Sequence, residues 1–160
     1  MAYWEGRRSE REVLTMREIL FRGKRIDNGE WAVGYLGVFK DRTQIYVPFT
    51  EEEERKYRGH IFSSIGGSWY TVDPSTVGQY TGRTDKNGKR VFEGDIIRLY
   101  NGAVGVVLWS DNDQAYLIFQ DPVKMVILDD FGNYGRPEYY EVIGNIYDNP
   151  ELLEGGKDNA

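Results

Sequence analysis

The stretch QYTGRTDKNGKRVFEGDIIRL, from Gln79 to Leu99, constrains the fold more than any other part of the chain. Asn87-Gly88 lies between two short extended runs, and both residue types tolerate the positive φ that a tight hairpin turn demands. Directly after the second run, Glu93-Gly94-Asp95 makes a second corner that leads into the apolar run Ile96 to Leu99. Two reversals in so short a span leave no room for a helix, so the middle of the chain must be antiparallel sheet.

Composition agrees with that reading. The 160 residues include 19 Gly, 12 Tyr and 4 Trp, a pairing that favours sheet with many turns. The length suits one domain with a real core, or two small β subdomains sharing an interface. Cysteine is absent, which excludes disulfides, thiolate metal sites and a thiol nucleophile and fits a reducing compartment. No apolar run approaches the ~20 residues of a membrane-spanning helix, and the N-terminus lacks the apolar core of a secretory signal. The net charge of -6 opposes general nucleic-acid binding, which needs a positive surface. That charge is unevenly spread: residues 1 to 91 hold 16 basic and 13 acidic side chains, residues 92 to 160 hold 4 and 13. The basic excess gathers at Arg17 to Arg25 and Arg83 to Arg90.

Residues 1 to 15 read as an N-terminal extension, with Tyr3 and Trp4 as its bulky residues; a short helix from Ser9 to Met16 is the competing reading. From Glu18 the residues alternate, with Ile19, Phe21 and Gly23 on one face and Leu20, Arg22 and Lys24 on the other. Asp27-Asn28-Gly29 turns this strand into a second one, where Trp31, Val33 and Tyr35 share a face. Gln44 to Phe49 supplies a third strand, and Pro48 confines it to an edge or a strand end. Glu51 to Arg58 is a charged insertion, either loop or one exposed helical turn. Ile61 to Val72 is β again, with Trp69 and Val72 its expected buried members. Asp73-Pro74-Ser75-Thr76 reads as a capped single turn and as the seam between two subdomains.

Beyond Leu99, Asn101-Gly102 joins Ile96–Leu99 to Ala103–Trp109, a strand apolar on both faces. Ala115 to Phe119, Lys124 to Leu128 and Tyr139 to Ile143 complete five short strands, and the segment Asp129 to Pro137 is a loop. Entered through a Gly-Asp corner, this set predicts an SH3-like small barrel. Asn149-Pro150 then starts a short C-terminal helix, with Asn149 as its cap. The expected division is therefore an extension (1–15), an N-terminal antiparallel β subdomain (16–76), an SH3-like barrel (77–153) and a tail (154–160), the whole being all-β.

Few residues assemble into a chemical site. His60 is the one histidine, which disfavours imidazole metal centres and a Ser-His-Asp triad. Asp111-Asn112-Asp113 lacks the longer ligand series of a calcium loop, and Gly66-Gly67-Ser68 lacks the spacing and lysine of a phosphate loop. No metal and no cofactor are expected. Glu93 and Asp95 could serve acid and base chemistry in a shared cleft, as in a small hydrolase, but carboxylates beside a corner glycine more often hold turn amides. Tyr80 with Arg83, Lys86, Lys89 and Arg90 could pair an aromatic platform with cations, the chemistry that holds single-stranded nucleic acid; a solvated turn is the plainer reading.

The segments MREILFRGKRIDNGEW (Met16 to Trp31), Asp73 to Tyr80, Gln79 to Leu99 and EVIGNIYDNPELL (Glu141 to Leu153) resemble the YopX family of small bacteriophage and prophage proteins. The resemblance implies a phage or prophage origin and expression in a bacterial cytoplasm; it implies no catalytic residue. The expected function is a non-catalytic module that binds a protein partner or itself. Weak nucleic-acid binding through Arg83 to Arg90 is the alternative.

Overall fold

The fold is that of a computed structural model, which describes residues 18–60, 66–121, 124–127 and 136–156. The expected extension over 1–15, most of the loop from 129 to 137 and the end of the tail lie outside the described residues. Among the described residues eleven strands form two antiparallel sheets. The first contains β1 (Phe21–Lys24), β2 (Trp31–Val38), β3 (Thr43–Pro48), β4 (Gly67–Thr71), β5 (Gly78–Thr84) and β6 (Arg90–Phe92), in the order β4-β3-β2-β1-β5-β6. The second contains β7 (Asp95–Leu99), β8 (Val104–Ser110), β9 (Ala115–Asp121), β10 (Lys124–Ile127) and β11 (Tyr140–Asn145), in the order β10-β9-β8-β7-β11. β10 and β11 do not pair with each other, so the second sheet is open.

The turns obey the sequence with one adjustment. At Asn87-Gly88 only Gly88 takes a positive φ, +77°. The Asp85 amide donates to the Lys89 carbonyl, and the Asp85 carboxylate accepts the amides of Asn87 and Lys89. An aspartate two residues before the asparagine thus organises a wider turn than a two-residue loop. Glu51–Tyr57 is an exposed helix, α1, whose Thr50 and Glu53 exchange bonds in a capping box. Asp73 accepts the Ser75 amide at the start of a 3-10 turn over Pro74–Thr76, as expected, and Pro48 ends its strand.

Two expectations about side chains fail. Trp69 is 47% exposed, because β4 directs it to the outer face while Tyr70 and Val72 turn inward. In β1 both faces are used: Phe21 packs with Ala32, Ile45 and Val72, whereas Leu20 joins Tyr80 and Phe92. Pro150 opens a 3-10 helix over Pro150–Gly156, the Asn149 carbonyl accepts the Leu152 amide at its start, and the Asn149 side chain accepts the amide of Asn145 behind it.

β6 lies where the two sheets meet. Phe92 belongs to the core under the first sheet, with Leu20 and Tyr80. Its neighbour Val91 belongs to the other core, with Ile97, Leu99, Val107, Tyr116, Ile118, Tyr140 and Val142. Successive residues of one strand point to opposite sides, so three residues serve both cores. The chain then leaves the first sheet at Glu93-Gly94 and enters the second at Asp95. Gly94 donates to the Val107 carbonyl at 2.8 Å and accepts from the Ile146 amide at 3.0 Å, joining β8 to the end of β11.

Gly94 has φ +84°, and a Cβ there would lie 3.2 Å from Cε2 of Tyr147. Gly29 shares the positive φ, +74°, but would meet nothing within 4 Å. Gly94→Val should cost about 1–3 kcal/mol and lower the melting temperature by about 2–4 °C per kcal/mol. Gly29→Val carries the backbone cost alone and should lose less. Equal melting temperatures for the two variants would refute the close contact at the corner.

Candidate functional site

The corner is built around a buried ion pair. Arg22 comes from β1 and Asp95 opens β7; they are 8% and 1% exposed. Nη1 of Arg22 lies 2.6 Å from Oδ1 of Asp95, and Nη2 donates to the Glu93 carbonyl at 3.2 Å. The other carboxylate oxygen of Asp95 accepts the Phe92 amide at 2.7 Å. The rings of Trp31 and Phe92 stand 4.7 and 5.0 Å from the guanidinium carbon, so the flat cation is held between two aromatic faces. Burial pushes the Asp95 carboxyl above its ordinary value, against the pull of Arg22 and the Phe92 amide. Nε of Arg22 is buried without a partner.

Both Asp95 oxygens are therefore occupied, and the corner offers no open carboxylate pair. Glu93 contributes its backbone to Arg22 and, at 2.9 Å, its amide to the Gln79 carbonyl. Alternation groups Arg22 with Leu20 and Lys24 on one face of β1 and does not show that it is buried. What pulls it inward is the carboxylate more than seventy positions away, a contact that local pattern cannot carry.

The basic loop divides. Tyr80 is buried in the core with Leu20 and Phe92, and Arg90 lies over its ring at 5.7 Å while pairing with Glu18 at 3.0 Å. Arg83 is half-buried and Lys89 exposed. Lys86 turns to the second sheet, pairing with Glu141 at 2.7 Å, and its amide donates to the Tyr140 carbonyl at 3.1 Å. Asp85, 2% exposed, fixes this attachment: its second oxygen accepts the Val142 amide at 3.0 Å, and the Tyr140 hydroxyl donates to the Thr84 carbonyl. The loop is thereby seated on the free edge of β11. Only Lys86 among the five expected residues lines the cleft there, whose other walls include Arg98, Tyr100, Glu138, Tyr139 and Glu141.

A second feature escaped the sequence reading. Tyr35, Tyr46 and Trp69 are opposite one another across β2, β3 and β4, a row of three aromatics on one face. Tyr35 is 52% exposed, and Phe39 extends the row by meeting Trp69 edge-on at 6.0 Å. Tyr46 and Trp69 lie 5.1 Å apart. The floor is cut away beneath the rings: a Cβ at Gly37 would meet Trp69 at 2.8 Å, and one at Gly67 would meet Tyr46 at 2.6 Å. The glycine positions that interrupt these strands in the sequence were the available signal.

Elsewhere the candidate ligands are spent on local structure. Asp111 accepts the Trp109 indole N–H and Asp113 accepts the Ser110 hydroxyl. Among the described residues, no three His, Asp or Glu side chains gather as a cation site. Nor is any described helix long and apolar enough to cross a membrane.

The family model for YopX protein matches residues 21–154, and the chain belongs to the YopX family. No curated protein matches it.

Two tests address the polar ties. Asp95→Ala leaves a buried guanidinium unpaired and should cost about 3–5 kcal/mol in urea denaturation. Arg22→Met combined with Asp95→Asn removes both charges while keeping an acceptor for the Phe92 amide, so it should cost less than Asp95→Ala alone. A greater loss in the double variant would show that the pair is not a coupled unit. The other tie is Asp148, which accepts from Lys24, Asn145 and the Trp31 indole; these donors, Lys24 foremost, hold its carboxyl down to about 2. A folded-state value below the unfolded one, about 4, means that the tie stabilises above that pH and is lost as pH falls toward the folded value. Melting curves should show Asp148→Asn less stable at neutral pH, with the gap closing across that acid window. A gap independent of pH would exclude the charge as its cause.

Proposed function

We propose that this YopX-family chain is a non-catalytic protein-binding module of phage or prophage origin, acting in the bacterial cytoplasm through the outer face of β2, β3 and β4. The observation that carries this reading is the Tyr35–Tyr46–Trp69 row with Phe39, a band of large rings that the fold leaves facing water. Isolated exposed apolar residues are ordinary, but an aligned row seated on glycines is a contiguous patch of the kind that marks contact surfaces. Aromatic side chains lose little conformational freedom on binding and concentrate affinity. β4 is also an edge of its sheet, so an extended partner segment could add to it in register while its side chains meet the rings.

We further read the second sheet, with the β5–β6 hairpin against it, as an open form of an SH3-like small barrel, and residues 16–76 and 77–153 as its two subdomains. Catalysis is the poorer reading because Asp95 is committed to Arg22 and the Phe92 amide. Nucleic acid is the lesser binding reading, since Tyr80, the expected stacking platform, lies in the core beneath Arg90.

The test compares the wild type with a Tyr35→Ser, Trp69→Ser variant as baits in phage-infected cells at several expression levels. Both exchanged side chains are half exposed, so the melting temperature should change little. The wild type should retain a partner that the variant loses by roughly tenfold or more, the scale of losing one aromatic anchor. Recovery of the same proteins by both baits would place the contact elsewhere. Binding of single- or double-stranded nucleic acid at about 50 mM salt, read by anisotropy, would favour the lesser reading instead.

A further inference from the structure

The cleft beside β11 has a different composition from the aromatic face and lies on the other sheet. Its volume is about 290 Å³, near the lower end of the range for small-molecule sites, roughly 300–1,000 Å³. That size suits a single amino-acid residue and excludes a dinucleotide. Arg98 and Glu141 are directly opposite across β7 and β11, so both project from the face of the sheet that carries the cleft. Glu141 is drawn to Lys86 at 2.7 Å, and its carboxyl is held below the ordinary value chiefly by that lysine, with Arg98 adding to the effect from across the strand. Lys86 has thus taken the carboxylate that faces Arg98. Among the described residues Arg98 makes no ion pair and no side-chain hydrogen bond.

A guanidinium on a cleft wall presents a planar fork that matches a carboxylate in two parallel bonds. In the turn just past the end of β7, and also lining the cleft, stands Tyr100, 62% exposed, with its ring 5.3 Å from that of Tyr139. An apolar ring can rest there while an acid group reaches Arg98. The remaining wall limits the charge of the ligand. Glu141 is paired with Lys86 and Glu138 with Arg136 at 3.8 Å, so Arg98 supplies the single uncompensated charge of the lining, and a phosphate dianion would carry one negative charge more than it can neutralise. A monoanion is favoured.

We infer that the Arg98, Tyr100, Tyr139 cleft binds an α-carboxylate joined to an aromatic side chain, as presented by the C-terminal residue of a peptide or by a free aromatic amino acid. The inference stands apart from the aromatic face: either surface could exist without the other. Capture of a terminal carboxylate is a recurring mode of peptide recognition, and here one arginine and a tyrosine pair supply its two components.

The two sources differ at the nitrogen. N-acetyl-L-phenylalanine reproduces a peptide C-terminus, and L-phenylalanine adds an ammonium that Glu138 could receive. Titration calorimetry with each, with N-acetyl-L-phenylalanine amide and with adenosine monophosphate, uses the full chain. The acids should bind, and the amide should bind at least roughly tenfold more weakly, the scale of a lost charge-assisted pair. Tighter binding of L-phenylalanine than of its acetyl derivative assigns the free amino acid, and the reverse assigns a peptide end. Arg98→Gln should weaken the acids by a similar factor and leave the amide unchanged, a pattern that mere loss of folding could not give. Tyr100→Ser should weaken acid and amide together. The inference fails if the amide binds as well as the acid, if adenosine monophosphate binds more tightly than either acid, or if Arg98→Gln binds like the wild type. No detectable heat with any probe at millimolar concentration would overturn it equally.

Discussion

Everything about the meeting of the two sheets depends on one charged pair that water does not reach. Arg22 belongs to the first sheet, and Asp95 is the first residue of the second. Their 2.6 Å contact crosses the corner at Gly94, and the rings on either side of the guanidinium come from β2 and β6. Such a pair is weak as a source of net stability, because removing two charges from water offsets most of their attraction. Its strength is geometric. An arginine with one buried partner and an aromatic face on each side has a single satisfactory place to lie, so it fixes how the sheets sit. Among the described residues Nε of Arg22 stays without a partner.

The same device recurs at the other contacts between the sheets. Asp85 binds the turn amides of Asn87 and Lys89 with one oxygen and the Val142 amide of β11 with the other. Asp148 gathers Lys24 and Trp31 from the first sheet and Asn145 from the second. Three aspartates thus rivet two small cores, with β6 shared between them. Neither core need be large, because alignment rests on bonds with direction and the apolar residues only fill the space enclosed. A carboxylate committed in this way is not open for acid or base chemistry.

Local features of this arrangement were legible in the sequence, and the long-range ones were not. Gly29, Gly88 and Gly102 mark turns, Pro48 ends a strand, the charged stretch after Thr50 is an exposed helical segment, and the five strands from Asp95 to Asn145 follow their hydrophobic runs. Each of those depends on neighbours a few residues apart. The burial of Arg22 was not legible because alternation fixes only its face, and its partner Asp95 is remote in the chain. Trp69 was misplaced: size and apolarity argue for burial, but the strand's face is set by Tyr70 and Val72, which pack inward. Among the site residues, Tyr80 and Lys86 were expected together and went to different places. Six positions along β5 and its turn separate them, enough for the chain to carry one into the first core and the other across to β11.

The misplaced tryptophan leads to a further step. Burying Trp69, Tyr35 and Phe39 would gain on the order of 1.5–3 kcal/mol each if the fold could cover them. Among the described residues the outer face of β2–β4 stays half exposed even though a whole helix, α1, follows β3 in the chain, and that helix buries none of its residues. Its row of glutamates makes it unfit to lie on apolar rings. α1 is therefore ill suited to cover that face, and Gly37 and Gly67 leave room for the rings against the sheet. Sequence features that have no role in the two cores converge on keeping this one face flat, aromatic and open, which is the physical case for regarding it as a surface made to be met.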